Sequence, residues 1–454
     1  MSTTGVVIGA GDRGYDAYAT LLLEEPDLGR IVGVADPDDG RRARFAERYS
    51  LESSECYPGW DELFAKPRMA DYVIVATGDT HHVEPTLAAL RAGYHVLLEK
   101  PMALDEADAQ EIVETAEAAD RVVAVCHVFR YSHVFAALHR VVSSGELGDV
   151  VSIQLAENVA YWHYAHSYVR GHTRNSAVPW LLQKSCHDMD LLSWLAGSPA
   201  RTVSSHLRPT QLTARNAPGD APSTASRAAP LRHLPVRRGG DLPGSQAGAG
   251  RPGAGGTPGR ARPAARVGRV AYPRMITSER LPTAAKKRLG WWRWPVAAVT
   301  DDHTPEGLDR ALATTRWGQC VYRVEDNDQP SAQTVSITFD NGVLANFTLQ
   351  SNSHRTMRTV KVSGTHGSAW GELRALDGWL KVADHRTGRV RSEKIPTAYD
   401  GHGGGEAPLY RDFLQAIENG TQPSVSARAS LESHRIVFAA MNSATTGTTV
   451  QLPD

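Results

Sequence analysis

The stretch VVIGAGDRGYDAYATLL, residues 6–22, decides how the chain is read. Val6, Val7 and Ile8 form a short continuous apolar run, the pattern of a strand buried on both faces. Gly9, Gly11 and Gly14 follow at once in GxGxxG spacing, and a helical pattern covers residues 14–24. Gly9 permits a sharp turn, Gly11 leaves room for a pyrophosphate to approach the backbone, and Gly14 lets the helix pack against the strand. The helix start, with Asp12 and Arg13 beside it, offers unpaired N–H groups and a positive dipole end to phosphates. A second strand, 31–36, ends at Asp36. A carboxylate there accepts from both adenosine ribose hydroxyls and repels a 2′-phosphate, which favours NAD over NADP. Arg41 and Arg42 lie just beyond and soften that preference. On these residues alone, a plain turn beside a solvated Asp36 stays open.

Working outward, further apolar strands at 71–77, 95–100 and 122–128 alternate with helical patterns at 39–49, 83–93 and 105–121, the last with Asp105 as N-cap. Such alternation means βαβ units and a parallel sheet, so an α/β Rossmann domain is expected over residues 1–129. After residue 130 the pattern changes. A helix at 180–196, strand-like alternation after 150 and again from 332, and Asn341-Gly342 as a hairpin turn predict an α+β domain over 130–454. Its sheet is expected to be mostly antiparallel. Residues 214–272 are rich in Pro, Gly, Ala and Arg with almost no carboxylates, and are expected to form a disordered insertion.

The totals exclude several classes. Among 454 residues, 41% are hydrophobic and 22% charged, as in a globular protein. Lys plus Arg (49) nearly cancels Asp plus Glu (50), which argues against a nucleic acid or an anionic membrane as partner. Cys56, Cys126, Cys186 and Cys320 form no CxxC pair, as expected of reduced thiols in the cytoplasm. No signal peptide is evident, and no apolar run approaches the roughly 20 residues of a membrane span.

The strand HVLLEKP (95–101) adds a second motif. Glu99-Lys100-Pro101 behind an N-terminal GxGxxG resembles the Gfo/Idh/MocA oxidoreductase family, as do KSCHDMDLLSWLAG (184–197) and the C-terminal segment 412–444. The resemblance implies an open antiparallel sheet whose face joins subunits, hence a homodimer or homotetramer. Lys100 stands at the C-terminal end of a parallel strand, where α/β sheets place ligands, and its ammonium can bond a substrate hydroxyl. The resemblance makes His187 its catalytic partner, although the Asp that relatives often carry four residues earlier is Gln183, with Lys184 following; Gln183, Lys184 and His187 are expected to bind the substrate. Asp190 is expected either to orient His187 or to serve packing. By the same resemblance His82 (with His81 as the alternative register) lies near the nicotinamide ribose; Thr77, ending a strand, is expected to contact the cofactor through its hydroxyl, and Glu99 to support the cofactor or a neighbouring loop. Arg130 and Tyr131 meet the substrate or form a structural pair.

The stretch 157–175 gathers Trp162, His163, His166 and Arg170, and aromatic faces with His and Arg donors suit a sugar. No carboxylate or cysteine set converges on these histidines, so no metal is expected. The expected function is hydride transfer between NAD, less readily NADP, and a hydroxyl carbon of a sugar, polyol or sugar derivative. An NAD-dependent glycoside hydrolase working by transient oxidation and elimination is one alternative; a non-catalytic NAD-binding regulator is another. The resemblance also implies that the run after NAPGDAP (216–222) replaces a cysteine-containing excursion. A local change of reading frame, restored near 273–275, would account for it.

Overall fold

The computed structural model describes residues 3–171, 178–219, 298–300, 302, 304–324, 327–374, 377–396 and 402–453. Of the expected insertion at 214–272, everything after residue 219 lies outside the described residues.

The opening apolar run is β1 (Thr3–Ile8), buried from Gly5 onward. It pairs in parallel with β2 (Gly29–Ala35) and β4 (Tyr72–Val75). With β3 (Cys56–Tyr57), β5 (His95–Leu98) and β6 (Val123–Val125) these strands form a six-stranded parallel sheet in the order β3-β2-β1-β4-β5-β6. That order places the strand ends on either side of β1 at a topological switch point. Local chemistry sets the helix starts. Asp38 accepts from the Arg41 N–H at 2.8 Å, and Asp105 from the Asp108 N–H at 2.9 Å. Val6, Ile8, Val73, Val75, Val96 and Leu98 fill the core beneath one layer of helices, and Leu431 from the C-terminal helix Ala427–Thr446 joins them.

A second, nine-stranded sheet is mostly antiparallel. Its central strand β7 (Val150–Ala160) lies between β10 (Leu344–Ser353), to which it is parallel, and β11 (Met357–Gly364), to which it is antiparallel. On one side follow β12 (Gly367–Arg374), β13 (Asp377–Asp384) and β14 (Val390–Pro396). On the other lie β9 (Ala332–Phe339), β8 (Ala200–Arg208) and β15 (Val450–Gln451). Gly342, at φ +84°, makes the expected turn between β9 and β10. Arg208 at the end of β8 pairs with Ala332 at the start of β9.

The chain divides into two compact units. The larger comprises Met1–Tyr161, Asn175–Thr210 and Asp328–Asp454, and the smaller Trp162–Arg174 and Gln211–Asn327. Both sheets belong to the larger unit, whereas the sequence pattern divides them at 129/130. Among the described residues no helix is long and apolar enough to cross a membrane.

His434, fully buried, fastens the C-terminal helix to the end of β5. Its Nε2 accepts from the Met102 N–H at 2.9 Å and its Nδ1 donates to the Ser430 carbonyl at 2.7 Å. Burial, with His127 beside it, pushes its pKa down to about 3 against the opposing Ser430 bond. A depressed imidazole pKa means the unfolded chain binds the extra proton, so stability is present above pH ~6.5 and is lost as pH falls toward 3. Urea midpoints should therefore fall between pH 7 and 5, and His434→Gln should flatten that slope while lowering stability at pH 7. An unchanged slope in the variant would remove His434 from the account.

Candidate active site

The glycine loop leaves β1 with little room. A Cβ on Gly9, at φ +94°, would lie 2.5 Å from the Ala76 carbonyl oxygen, and one on Gly14 would lie 2.1 Å from the Gly9 carbonyl oxygen. A Cβ on Gly11 would meet nothing within 4 Å. The open face is thus at Gly11, where a pyrophosphate would approach, and the residues present fit a dinucleotide. Asp36 is locked across the same loop. Its Oδ2 accepts from the Ala10 N–H at 2.8 Å and its Oδ1 from the Asp38 N–H at 2.9 Å. A carboxylate keeps further lone pairs for ribose hydroxyls. The Arg42 guanidinium is engaged by the Asp36 carbonyl and the Asp39 carboxylate. Asp12 is exposed at the helix start.

Four residues expected at the cofactor have protein partners in this structure. Arg13 donates from Nε to Glu99 at 2.6 Å, from Nη1 to Glu406 at 2.9 Å and from Nη2 to the Tyr18 hydroxyl at 2.7 Å. Tyr18 in turn donates to Glu99 at 2.7 Å. Burial opposes charge on Glu99, but the Arg13 and Lys100 cations and these hydrogen bonds outweigh it and hold the carboxyl at about 2. These contacts tie the loop to β5 and to the helix Glu406–Asn419, so Glu99 supports a neighbouring loop. His82, not the exposed His81, is the buried histidine. Its Nδ1 donates to the Pro101 carbonyl at 2.7 Å, and its Nε2 lies 3.3 Å from the Thr77 carbonyl, so it braces the ends of β4 and β5. Thr77 caps its own turn through a 2.7 Å bond to the His81 carbonyl.

Lys100 and His187 come together. The Lys100 Nζ donates to the backbone carbonyl of Gln183 at 3.1 Å, so Gln183 contributes a peptide oxygen. His187, one turn further along the helix Trp180–Ala196, is only 5% exposed. Burial first, then the charges of Lys100, His127, Arg358 and His402, hold its imidazole well below the ordinary pKa, hence neutral. Its Nδ1 is buried with no hydrogen-bond partner among the described residues. Phe129 meets the ring edge-on at 5.0 Å between centroids, and His127 at 5.6 Å.

Behind this pair lies a buried charge cluster whose role the sequence pattern did not indicate. Lys184 lies 3.4 Å from Glu157, and Arg358 forms an ion pair with Glu157 at 3.1 Å and donates to Asp188 at 2.7 Å. The Arg358 guanidinium also covers the Phe129 ring at 3.8 Å. Burial lowers the Lys184 pKa against the pull of Glu157. A signal for the cluster existed. Glu157 sits in phase with buried Ile153 and Leu155 on β7, and Arg358 with buried Val360 and Val362 on β11. A charged residue in an inward phase calls for a buried partner.

Asp190 does not orient His187. It takes a bidentate grip from Arg130 at 2.7 and 2.6 Å, while Arg130 also donates to the Ser424 carbonyl at 2.7 Å. Tyr131 donates to Asp412 and lies 2.7 Å from the Ser424 hydroxyl. Arg130 therefore clamps the 180–196 helix, and Tyr131 ties its own turn to Asp412 and Ser424, as the structural-pair alternative expects. Trp162, His163, His166 and Arg170 belong to the smaller unit. There Trp162 stacks on His163 at 5.6 Å, His166 meets Trp317 at 4.7 Å, and Arg170 donates to the Trp317 carbonyl at 3.0 Å. Among the described residues no group of three His, Cys, Asp or Glu side chains is placed to hold a metal.

Fold and glycine loop together define a dinucleotide-binding α/β protein. Residues 4–127 match an oxidoreductase family described by its NAD-binding Rossmann fold, and residues 140–222 and 319–452 match that family's C-terminal alpha/beta domain. The chain belongs to the Gfo/Idh/MocA oxidoreductase family. It is similar to inositol 2-dehydrogenase of Salmonella paratyphi B, at 25% identity over 204 residues, covering 45% of this chain and 57% of that protein. It is also similar to 2,7-anhydro-N-acetylneuraminate hydratase of Mediterraneibacter gnavus, at 26% identity over 210 residues, covering 45% and 52%. The chain thus spans about half the length of these curated relatives. Among solved structures, levoglucosan dehydrogenase in complex with NADH and levoglucosan superposes with a TM-score of 0.66 at 16% identity, covering 100% of both chains, a likeness of fold.

The glycine geometry separates binding from stability. Gly11→Ala should leave the urea midpoint unchanged and weaken NAD binding in calorimetry at least about tenfold, whereas Gly14→Ala should cost about 1–3 kcal/mol of stability through overpacking. A destabilised Gly11→Ala would contradict the open cradle. Arg130→Ala leaves Asp190 buried and unpaired and should cost about 3–5 kcal/mol, much of it recovered in Arg130→Met/Asp190→Leu. Equal losses in the single and double variants would rule out charge burial as the cause.

Proposed function

We propose that the chain transfers hydride between a nicotinamide cofactor, preferentially NAD, and a hydroxyl-bearing carbon of a sugar, polyol or sugar derivative. The observation that carries this reading is the pair of a fixed ammonium, Lys100, and a neutral buried imidazole, His187, at the carboxyl end of β5. When bound, the nicotinamide supplies the two-electron acceptor for the hydride. Gly9, Gly11, Gly14 and Asp36 would hold the dinucleotide. Lys100, steadied by the Gln183 carbonyl, donates to the substrate oxygen and stabilises the negative charge that grows as its proton leaves. His187 is neutral and so able to accept that proton. Asp36, bonded to the Ala10 N–H, supports NAD over NADP by repelling a 2′-phosphate. Gln154, Ser336, Leu344 and Asn346 lie exposed on the second sheet, a surface suited to a homodimer or homotetramer.

A second reading, transient oxidation followed by elimination, is favoured by one feature: the position one turn before His187 carries Gln183, an amide that cannot act as a base. The similarity to a named hydratase points the same way. The two readings differ in coenzyme balance. A dehydrogenase accumulates NADH, whereas oxidation, elimination and re-reduction leave the pool unchanged while product forms.

The deciding experiment incubates the purified chain with NAD or NADP across polyols, sugar acids and aryl glycosides, following absorbance and aglycone release. Lys100→Ala should lower kcat about 10²–10⁴-fold with NAD binding retained. Because the His187 pKa lies below the ordinary 6.5, the acid limb of kcat should fall below pH 6.5. A limb at or above that pH which vanishes in His187→Asn would overturn its assignment as a neutral base.

A further inference from the structure

Oxidation of a carbinol releases one proton for each hydride removed. The C–H pair leaves with its electrons, the O–H bond breaks, a C=O bond forms, and the hydroxyl proton must reach solvent. His187 is badly placed to keep that proton, being buried and surrounded by Lys100, Arg358, His127 and His402 with no carboxylate bonded to it.

Two imidazoles adjoin it. His127 is fully buried and leads on to His434, at 5.8 Å between ring centroids. Both His434 nitrogens are committed, to Met102 and Ser430, so that direction is closed. His402 lies 6.3 Å from His187 between centroids and 5.4 Å from Phe129, and its side chain is 29% exposed. Its Nδ1 donates to Glu406 at 2.8 Å, and Glu406 is anchored by Arg13 at 2.9 Å. A carboxylate bonded to one nitrogen orients the ring and strengthens the other as a proton acceptor.

The segment HGGGE (402–406) builds this position. The Gly403 carbonyl accepts from the His133 N–H at 3.2 Å, and a Cβ on Gly405 would lie 2.1 Å from the Val128 carbonyl oxygen. The loop is therefore held tightly against the 128–133 segment. Among the described residues, the charged or titratable groups facing His402 include Glu406 on its own segment, Asp12 on the glycine loop and His187 on the 180–196 helix, with Arg13 behind Glu406.

We propose that His402, oriented by Glu406, is the proton exit of this site, passing the substrate's hydroxyl proton from His187 to solvent through a bridging water. His402 is thus a positioning and relay residue, and the inference rests on the hydride-transfer reading above.

The test uses the full chain and begins without substrate. Deuterium exchange at the histidine ring C–H, followed by mass spectrometry across pH 5–8, should give His402 a rate at least about tenfold above that of His187. With the best polyol found, His402→Ala should lose at least about tenfold in kcat with KM little changed, and added imidazole should restore the rate saturably. His402 exchanging as slowly as His187, or turnover in His402→Ala that is unchanged or insensitive to imidazole, overturns the exit. Absence of any coenzyme binding or coenzyme-dependent turnover in the wild-type chain overturns the hydride-transfer reading itself, and the exit with it.

Discussion

Glu99 is a carboxylate with 5% of its surface exposed, and everything near the site is arranged so that it can remain charged there. An isolated buried carboxylate would neutralise; opposite charge and directed hydrogen bonds keep this one ionised. Arg13 supplies the charge from the glycine loop, Tyr18 a hydroxyl from the following helix, and Arg13 reaches on to Glu406 in the C-terminal part of the chain. One knot of side chains therefore joins the loop, the end of β5 and a helix that begins some 300 residues later in sequence. The Lys100 N–H bonds the other Glu99 oxygen at 3.1 Å, so the residue that carries the ammonium starts from an anchored peptide.

The 180–196 helix is held by the same means. Arg130 grips Asp190 and Arg358 grips Asp188, each pair buried, while Lys184 and Arg358 share Glu157. In that second cluster two cations face two carboxylates. Lys100 stands outside it with a peptide carbonyl as its bonded partner, and His187 is kept neutral beside it. The arrangement sets a single positive group against an uncharged acceptor, which suits a reaction that generates an alkoxide-like oxygen.

Local signals carried most of the fold. The buried strands, Asp105 as a cap and the Asn341-Gly342 turn were all readable, because burial on both faces, N-capping and positive φ each leave a residue-level mark. The spacing of Gly9, Gly11 and Gly14 likewise announced which glycine faces open space. Partnerships across long sequence distance were not legible. Arg130 could not be matched to Asp190, nor Arg13 to Glu406, because ion pairs leave no periodic trace. His402 sits among glycines and carries no periodic or motif signal of its own. The aromatic stretch around Trp162 read as one substrate surface, yet much of its polar capacity is used within its own unit.

The pairing of Arg208 with Ala332 has a consequence for how this lineage can change. The chain leaves the second sheet and re-enters it at adjacent positions, so whatever sequence joins them is an excursion with its ends already clamped. Closing such an excursion costs entropy that grows only as the logarithm of its length, about 0.6 kcal/mol for each doubling. Lengthening, shortening or rewriting that passage therefore costs little closure entropy, while the pairing of β8 with β9 keeps its register.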